Sequence, residues 1–240
     1  MMRLALAAEP SSFTRKVREP GENVLAALAG RRPPHPRRGR PIALTKRVAG
    51  KPVRKTIEDF PYWQDCLDEL YDAYGGICAY YCFRIERATL PQVDHFVAKT
   101  GNAGQAYEWT SYRLACGYAN ICKNEYPDVL DPAQIEDGWF QLDLATLGVD
   151  ADDSLPADQR KAVETTIVRL KLREGRALEV RQRAMEHFRR RRVNFAFLEM
   201  DHPFLARELA RQGVRDAAQL PPLSEVVFDT VEPELIEPEP

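Results

Sequence analysis

Residues 92–123 are the part of the chain whose pattern most restricts the fold. Two short segments that contain apolar residues, 92–96 and 109–116, are separated by a loop rich in Gly and Asn, and residues 120–123 follow them. Short apolar segments bounded by turn residues are typical of strands. The pattern therefore predicts a strand, a loop, a second strand and a short helix.

Apolar side chains at helical spacing predict that most of the remaining chain is helical. A helix is expected over residues 59–76, where Asp59 can cap the start and two glycines, Gly75 and Gly76, can end it. Further elements are expected at 139–144 (a strand), 157–198 (two helices) and 204–212 (a helix). The predicted fold class is α+β, mostly helical, with the central hairpin as its only notable sheet.

Basic and acidic residues are concentrated at opposite ends of the chain. Residues 1–55 contain fourteen Lys/Arg and three Asp/Glu, whereas the last seventeen residues contain six acids and no base. Repeated prolines interrupt helices, so an irregular arm with one short helix near 21–28 is expected at the start. A solvated arm and a solvated tail without a ligand are the alternative interpretation of these charges.

Composition and charge together divide the chain into four regions. They are 1–55 (a basic Pro/Arg-rich arm), 56–150 (the core with the central hairpin), 151–220 (a helical C-terminal region) and 221–240 (an acidic mobile tail). No segment has the length of a transmembrane helix, and five cysteines, an odd number, do not suggest a disulfide framework. We therefore expect a cytoplasmic protein that does not associate with membranes.

The side chains of the central stretch suit phosphodiester hydrolysis. A histidine such as His95 can act as a general base near neutral pH. The oxygens of Asp94 and Asn120 are ligands that Mg²⁺ or a similar divalent metal prefers, and such an ion can stabilise charge on a phosphate. An isolated Asp-His pair is also common on protein surfaces, so the interpretation depends on the spacing of the residues that follow.

The same residues resemble the HNH (His-Me finger) endonuclease family. Asp94-His95, followed by residues 111–116, Asn120 and Lys123, is similar to the pattern of that family. The surrounding sequence is similar to HNH nucleases of bacterial anti-phage defence systems, of the Septu and retron-associated type. This resemblance extends over roughly residues 56–180 and is most specific at 77–142. The resemblance implies a ββα-metal hairpin and a phosphodiesterase activity.

The resemblance also implies a role for each matching residue. His95 would be the general base, Asp94 and Asn120 would bind the metal, and Lys123 would contact a phosphate. Ser111 stands where the family has an asparagine that orients the base, so a weaker site is expected unless another group, such as Asn102, substitutes.

Many family members also clamp this hairpin with zinc, and here the cysteine pattern departs from theirs. Cys78, Cys82 and Cys116 occupy positions of the zinc ligands, but Ala119 stands at the fourth position and Cys122 lies nearby. Four ligands are the norm for structural zinc. Buried thiols are therefore favoured over a structural zinc ion.

The expected polyanion is DNA, with RNA as the alternative. The residues expected to bind it are Arg37, Arg38, Arg40, Arg113, Arg189, Arg190, Arg191 and Arg192. The resemblance further implies an ATPase or another defence-system subunit as partner. Two other functions compete with the nuclease: a catalytically weak HNH-fold adaptor that only binds nucleic acid, and a structural protein whose Asp-His pair is accidental.

Overall fold

The chain folds into helices and short two-stranded sheets. The structure is a computed structural model, which describes residues 1–36, 41–97 and 102–220. The α-helices are α1 (Glu19–Leu28), α2 (Leu67–Ala73), α3 (Gly117–Lys123), α4 (Ala157–Arg169), α5 (Gly175–Arg189), α6 (Phe195–Asp201) and α7 (Pro203–Arg211). The strands are β1 (Thr45–Val48), β2 (Lys51–Arg54), β3 (Gln92–His95), β4 (Tyr112–Ala115), β5 (Phe140–Leu142) and β6 (Val149–Ala151). The expected α+β class is confirmed. The sheets are β1–β2, β3–β4 and β5–β6, all antiparallel, so the described ranges contain three hairpins where one was expected.

The first thirty residues belong to the core and do not form an irregular arm. Phe13 and Val17 are buried, and the Phe13 ring meets Trp109 edge-on at a centroid distance of 5.5 Å. At Gly21 of α1, a Cβ atom would lie 2.1 Å from the Tyr107 ring, so only glycine permits this close packing. The prediction for 1–55 is wrong in this part because apolar side chains scattered among the charges pack onto the hairpin. The short helix predicted near 21–28 is confirmed by α1.

The helix predicted over 59–76 is shorter in the structure. A 3₁₀ helix, Tyr62–Cys66, precedes α2, because Phe60 and Pro61 have non-helical dihedral angles. Gly75 and Gly76 follow α2 with φ angles of 56° and 72°, a conformation that glycine adopts without strain. The apolar face predicted from the spacing is still the buried one, with Trp63, Cys66 and Leu70 among its residues.

The C-terminal region is helical, as predicted, and completes the core. Val163 and Ile167 of α4 and Met185 and Phe188 of α5 are buried. Phe195 does not continue α5 but begins α6. In the described part of the chain, no helix is both long and apolar enough to cross a membrane.

A buried ion pair ties β4 to the loop that follows α3. Arg113 donates from Nε and Nη2 to the two carboxylate oxygens of Asp131, at 2.9 and 2.6 Å. The Arg113 Nη1 atom donates to the backbone carbonyls of Thr110 and Tyr112, both at 2.8 Å. Arg113 is only 2% exposed, and its guanidinium donates to acceptors inside the protein. The expectation that Arg113 binds nucleic acid is therefore wrong.

Removing one partner of this pair should strongly destabilise the protein. Asp131→Ala leaves the Arg113 charge buried without its carboxylate, which typically costs about 3–5 kcal/mol. We expect the free energy of unfolding, measured with urea, to fall by that amount. Asp128→Ala, which removes the exposed carboxylate that pairs with Arg169, is the matched control and should leave the urea midpoint unchanged. Equal effects of the two substitutions would contradict the structural role of Arg113.

Candidate functional site

The hairpin β3–β4 and helix α3 place three of the predicted site residues around one pocket. In the antiparallel register, Asp94 pairs with Arg113 and His95 with Tyr112, and α3 begins two residues after β4. The pocket has a volume of about 270 Å³. Its lining consists of Val93, Asp94, His95, Asn120, Ile121, Asn124 and Glu125. Asp94, His95 and Asn120 therefore line one pocket, whereas Ser111 and Lys123 are not among its lining residues.

Asp94 is a buried carboxylate held by two donors from different segments. The Tyr80 hydroxyl donates to Oδ2 at 2.5 Å, and the Lys123 ammonium lies 3.3 Å from Oδ1. Burial raises the pKa of Asp94, and the charge of Lys123 and the bond from Tyr80 oppose this rise. Sequence reasoning missed Tyr80, although the compact segment 77–82 that contains it was part of the resemblance.

Asn120, which also lines the pocket, is the second candidate oxygen ligand. Its amide nitrogen donates to Gln92 Oε1 at 2.8 Å, which uses the donor end of the amide and not the acceptor oxygen Oδ1. A carboxylate oxygen has two lone pairs, so each oxygen of Asp94 can accept one contact besides those from Tyr80 and Lys123. Two oxygen donors fit Mg²⁺, which takes one or two protein ligands and completes its shell with water and phosphate.

His95 is fixed by backbone and aromatic contacts. Its Nε2 lies 3.0 Å from the carbonyl oxygen of Ala106, and its ring meets Trp63 and Tyr112 edge-on at 4.8 and 5.1 Å. A neutral imidazole that donates from Nε2 carries its basic lone pair on Nδ1. Ala106 thus provides the kind of orienting contact that was expected at position 111. The backbone carbonyl of Ser111 accepts from the Phe96 N–H at 2.9 Å and so joins the two strands instead.

Lys123 does not have the position that the resemblance implies. Its side chain is 2% exposed, and Nζ donates to the His95 carbonyl at 2.8 Å as well as pairing with Asp94. The residue lies on the buried face of α3, together with Ala119 and Cys122. The expectation that Lys123 contacts a phosphate is therefore wrong, because its charge is directed inward onto the Asp94 carboxylate.

The cysteines do not converge as zinc ligands would. The sulfurs of Cys78 and Cys116 are 4.0 Å apart, whereas the Cys82 thiol points to the carbonyls of Ala79 and Tyr80. Cys122 lies beside Tyr81. All five cysteines are free thiols, and the described residues contain no group of three or more His, Cys, Asp or Glu side chains arranged to hold a metal ion.

The remaining arginines expected to bind nucleic acid lie outside the pocket lining. Arg189 ends α5 and is half-buried, and the three arginines that follow it are exposed. Arg190 pairs with Glu186, and Arg191 lies 4.0 Å from Asp216, so part of this charge is already neutralised. Arg37, Arg38 and Arg40 lie outside the described residues.

Comparison with known proteins adds no functional information. The chain matches no protein-family model, and no curated protein is significantly similar to it. The resemblance to HNH nucleases therefore depends on the motif residues named above, and the geometry of the pocket has to be interpreted on its own.

Tyr80 should influence a metal ion at Asp94 without touching it. Tyr80→Phe removes the hydroxyl that stabilises the ionised carboxylate, so the pKa of Asp94 should rise further. Loss of such a supporting contact typically lowers metal affinity about 10–100-fold. We expect a decrease of that size for Mn²⁺ at neutral pH, measured by electron paramagnetic resonance, and an upward shift of the Asp94 pKa, measured by carboxyl carbon NMR.

Tyr81→Phe is the matched control for this prediction. Tyr81 is also buried in the same segment, but its hydroxyl donates to the carbonyl of Leu170 at 2.9 Å, away from Asp94. It should leave Mn²⁺ affinity unchanged. If both variants lose affinity equally, general loosening of residues 77–82 explains the effect and the proposed role of Tyr80 is wrong.

Proposed function

We propose that the protein is a metal-dependent endonuclease that hydrolyses phosphodiester bonds in DNA. The observation that most supports this proposal is that Asp94, His95 and Asn120 line one pocket. Asp94 and His95 come from β3 and Asn120 comes from α3, 25 residues after His95 in the sequence. These three side chains combine a general base with two oxygen ligands for a hard cation. A pocket that contained only one of these functions would not support hydrolysis.

The side chains divide the reaction between them. His95 accepts a proton from the attacking water, whose oxygen forms the new bond to phosphorus while the bond to the leaving oxygen breaks. Asp94 and Asn120 would hold the divalent metal, which when bound would supply Lewis-acid stabilisation of charge on the phosphate and the leaving oxygen. Ala106 keeps the imidazole oriented through its carbonyl. Tyr80 and Lys123 keep Asp94 in place and favour its ionised form.

A specific contact also supports the adaptor alternative. The Lys123 ammonium already lies 3.3 Å from Asp94 Oδ1, and a cation in that position repels a metal ion at the same carboxylate. If this repulsion is stronger than the binding of the metal, the hairpin would bind nucleic acid without cutting it. Titration with Mn²⁺ separates the two functions, because only the nuclease requires the ion to bind.

The biological setting is proposed from the resemblance. A cytoplasmic role in anti-phage defence, with an ATPase or another defence-system subunit as partner, fits the HNH nucleases that the segment 77–142 resembles. Free thiols at all five cysteines fit a reducing compartment. DNA is the proposed substrate, and RNA is the alternative.

Replacing the base should abolish cleavage. Without the His95 imidazole, no positioned group removes the proton from water, and loss of a general base typically slows such a step by about 10²–10⁴-fold. We expect His95→Ala to show this loss in a plasmid-nicking assay with Mg²⁺ or Mn²⁺, and EDTA should abolish the activity of the wild type. Binding of an uncut duplex should be retained.

His187→Ala is the matched control for the histidine, since His187 lies at the end of α5 and outside the pocket lining. Its nicking rate should equal that of the wild type. Wild-type nicking by His95→Ala would refute the assignment of the base. Absence of nicking by the wild type with either metal, alongside intact duplex binding, would favour the adaptor.

A further inference from the structure

The hairpin β1–β2 projects from the fold with both faces exposed. All eight of its strand residues are exposed, including Val48 and Val53, whose exposed fractions are 51% and 41%. Its turn is formed by Ala49 and Gly50, with φ angles of 49° and 78°, the positive values that a type I′ turn requires. A two-stranded ribbon is marginally stable in isolation, so a surface of this kind is suited to a partner that covers it.

The ribbon has a high density of positive charge. Its cations are Lys46, Arg47, Lys51, Arg54 and Lys55, and residues 41–57 contain no Asp or Glu. Residues opposite one another in an antiparallel pair share a face. Thr45 pairs with Arg54 and Arg47 with Pro52, so the two arginines share one face. Lys46 pairs with Val53 and Val48 with Lys51, so the two strand lysines share the other face.

Side-chain contacts anchor the base of the ribbon to the rest of the fold, and the cations near its tip lie beyond these contacts. Arg54 donates to the carbonyl of Leu28 at the end of α1 at 2.6 Å, and Lys46 pairs with Asp59 at 2.5 Å. Arg47 and Lys51, nearer the turn, form no ion pair within the described ranges. The ribbon is therefore held firmly at one end and presents two available charges, on opposite faces, at the other.

We propose that the β1–β2 ribbon is a duplex-DNA-binding element that enters the major groove. Two strands lie about 4.8 Å apart, and the major groove, about 12 Å wide, admits a two-stranded ribbon. Arg47 and Lys51, on opposite faces, would then meet the phosphates on the two sides of the groove. The choice of DNA as the polyanion rests on the proposed nuclease function.

The apolar residues of the ribbon favour DNA over a membrane surface. Val48 and Val53 share the lysine face, and both are small apolar side chains. Elements that bind membrane interfaces usually contribute large side chains such as Trp and Phe, and residues 41–57 contain neither. An acidic protein surface could also pair with these cations, but it would not explain why the ribbon has dimensions that fit the major groove.

The experiment compares salt-dependent duplex binding by the full chain and two double variants. Fluorescence anisotropy with a labelled DNA duplex is measured in EDTA, so that no cleavage occurs, over a series of NaCl concentrations. Arg47→Ala/Lys51→Ala removes the two charges near the tip. Arg176→Ala/Lys161→Ala is the matched control, because these residues are also one exposed arginine and one exposed lysine, on α5 and α4.

Removal of two phosphate contacts should reduce the slope of log K against log salt by about 1.8, at roughly 0.9 per contact. Between about 50 and 200 mM salt, the wild type should then lose about tenfold more affinity than the tip variant. The loss should be similar on unrelated sequences. Charge reversal, Arg47→Glu/Lys51→Glu, should weaken binding further, and the control should match the wild type. Mn²⁺ affinity of all variants should be unchanged, since the ribbon lies outside the metal pocket.

Failure of this proposal and failure of the proposed function give different results. Unchanged affinity and an unchanged salt slope in the tip variant would overturn the ribbon proposal, while His95-dependent nicking would remain as a separate result. Binding of phosphatidylserine vesicles or polyglutamate, but not of the duplex, by the wild type would also overturn it. Ribbon-dependent duplex binding without nicking in Mg²⁺ or Mn²⁺ would support the ribbon and refute the nuclease.

Discussion

The candidate site depends on the buried carboxylate of Asp94. Burial disfavours its charge and raises its pKa, so the ionised form requires donors nearby. Tyr80 provides one from the segment that precedes β3, and Lys123 provides the other from the end of α3. The same contacts that stabilise the anion therefore join three segments of the chain, and the geometry of the pocket and the integrity of the fold are connected.

The imidazole of His95 is held by a comparable convergence of distant segments. Trp63 comes from the 3₁₀ helix before α2, Tyr112 from β4, and the carbonyl of Ala106 from the loop between the two strands. That carbonyl also accepts from the Tyr112 hydroxyl at 2.8 Å. Because the His95 ring and the Tyr112 hydroxyl share one acceptor, the loop, β4 and His95 form one hydrogen-bonded unit.

Positively charged side chains of this protein occur in two different environments, buried and exposed. Arg113 and Lys123 are almost fully buried, and their donors are directed to Asp131, Asp94 and backbone carbonyls. These cations stabilise the hairpin and are not available to a ligand. Exposed cations occur instead on the β1–β2 ribbon and after α5, so in the proposed function nucleic acid would contact segments outside the hairpin that contains Asp94 and His95.

Local patterns in the sequence are enough to predict several of the secondary-structure elements. Apolar periodicity and turn residues predict a strand, a loop, a strand and a helix over 92–123, because these signals depend on near neighbours. They also predict a helix at the position of α4. Asp94, His95 and Asn120 are site residues implied by the resemblance, and all three are among the residues that line one pocket. The spacing of these residues follows directly from the lengths of the strand, loop and helix.

Tertiary structure alone decided which charges are buried and which groups orient the site. The sequence identifies Arg113 as a cation, but its partner Asp131 lies eighteen residues away and is found only when β4 packs on that loop. The carbonyl of Ala106 has no side-chain signature, since every residue has such a group. Burial and hydrogen bonding between distant segments depend on how the elements pack, and single-residue patterns contain no information about that packing.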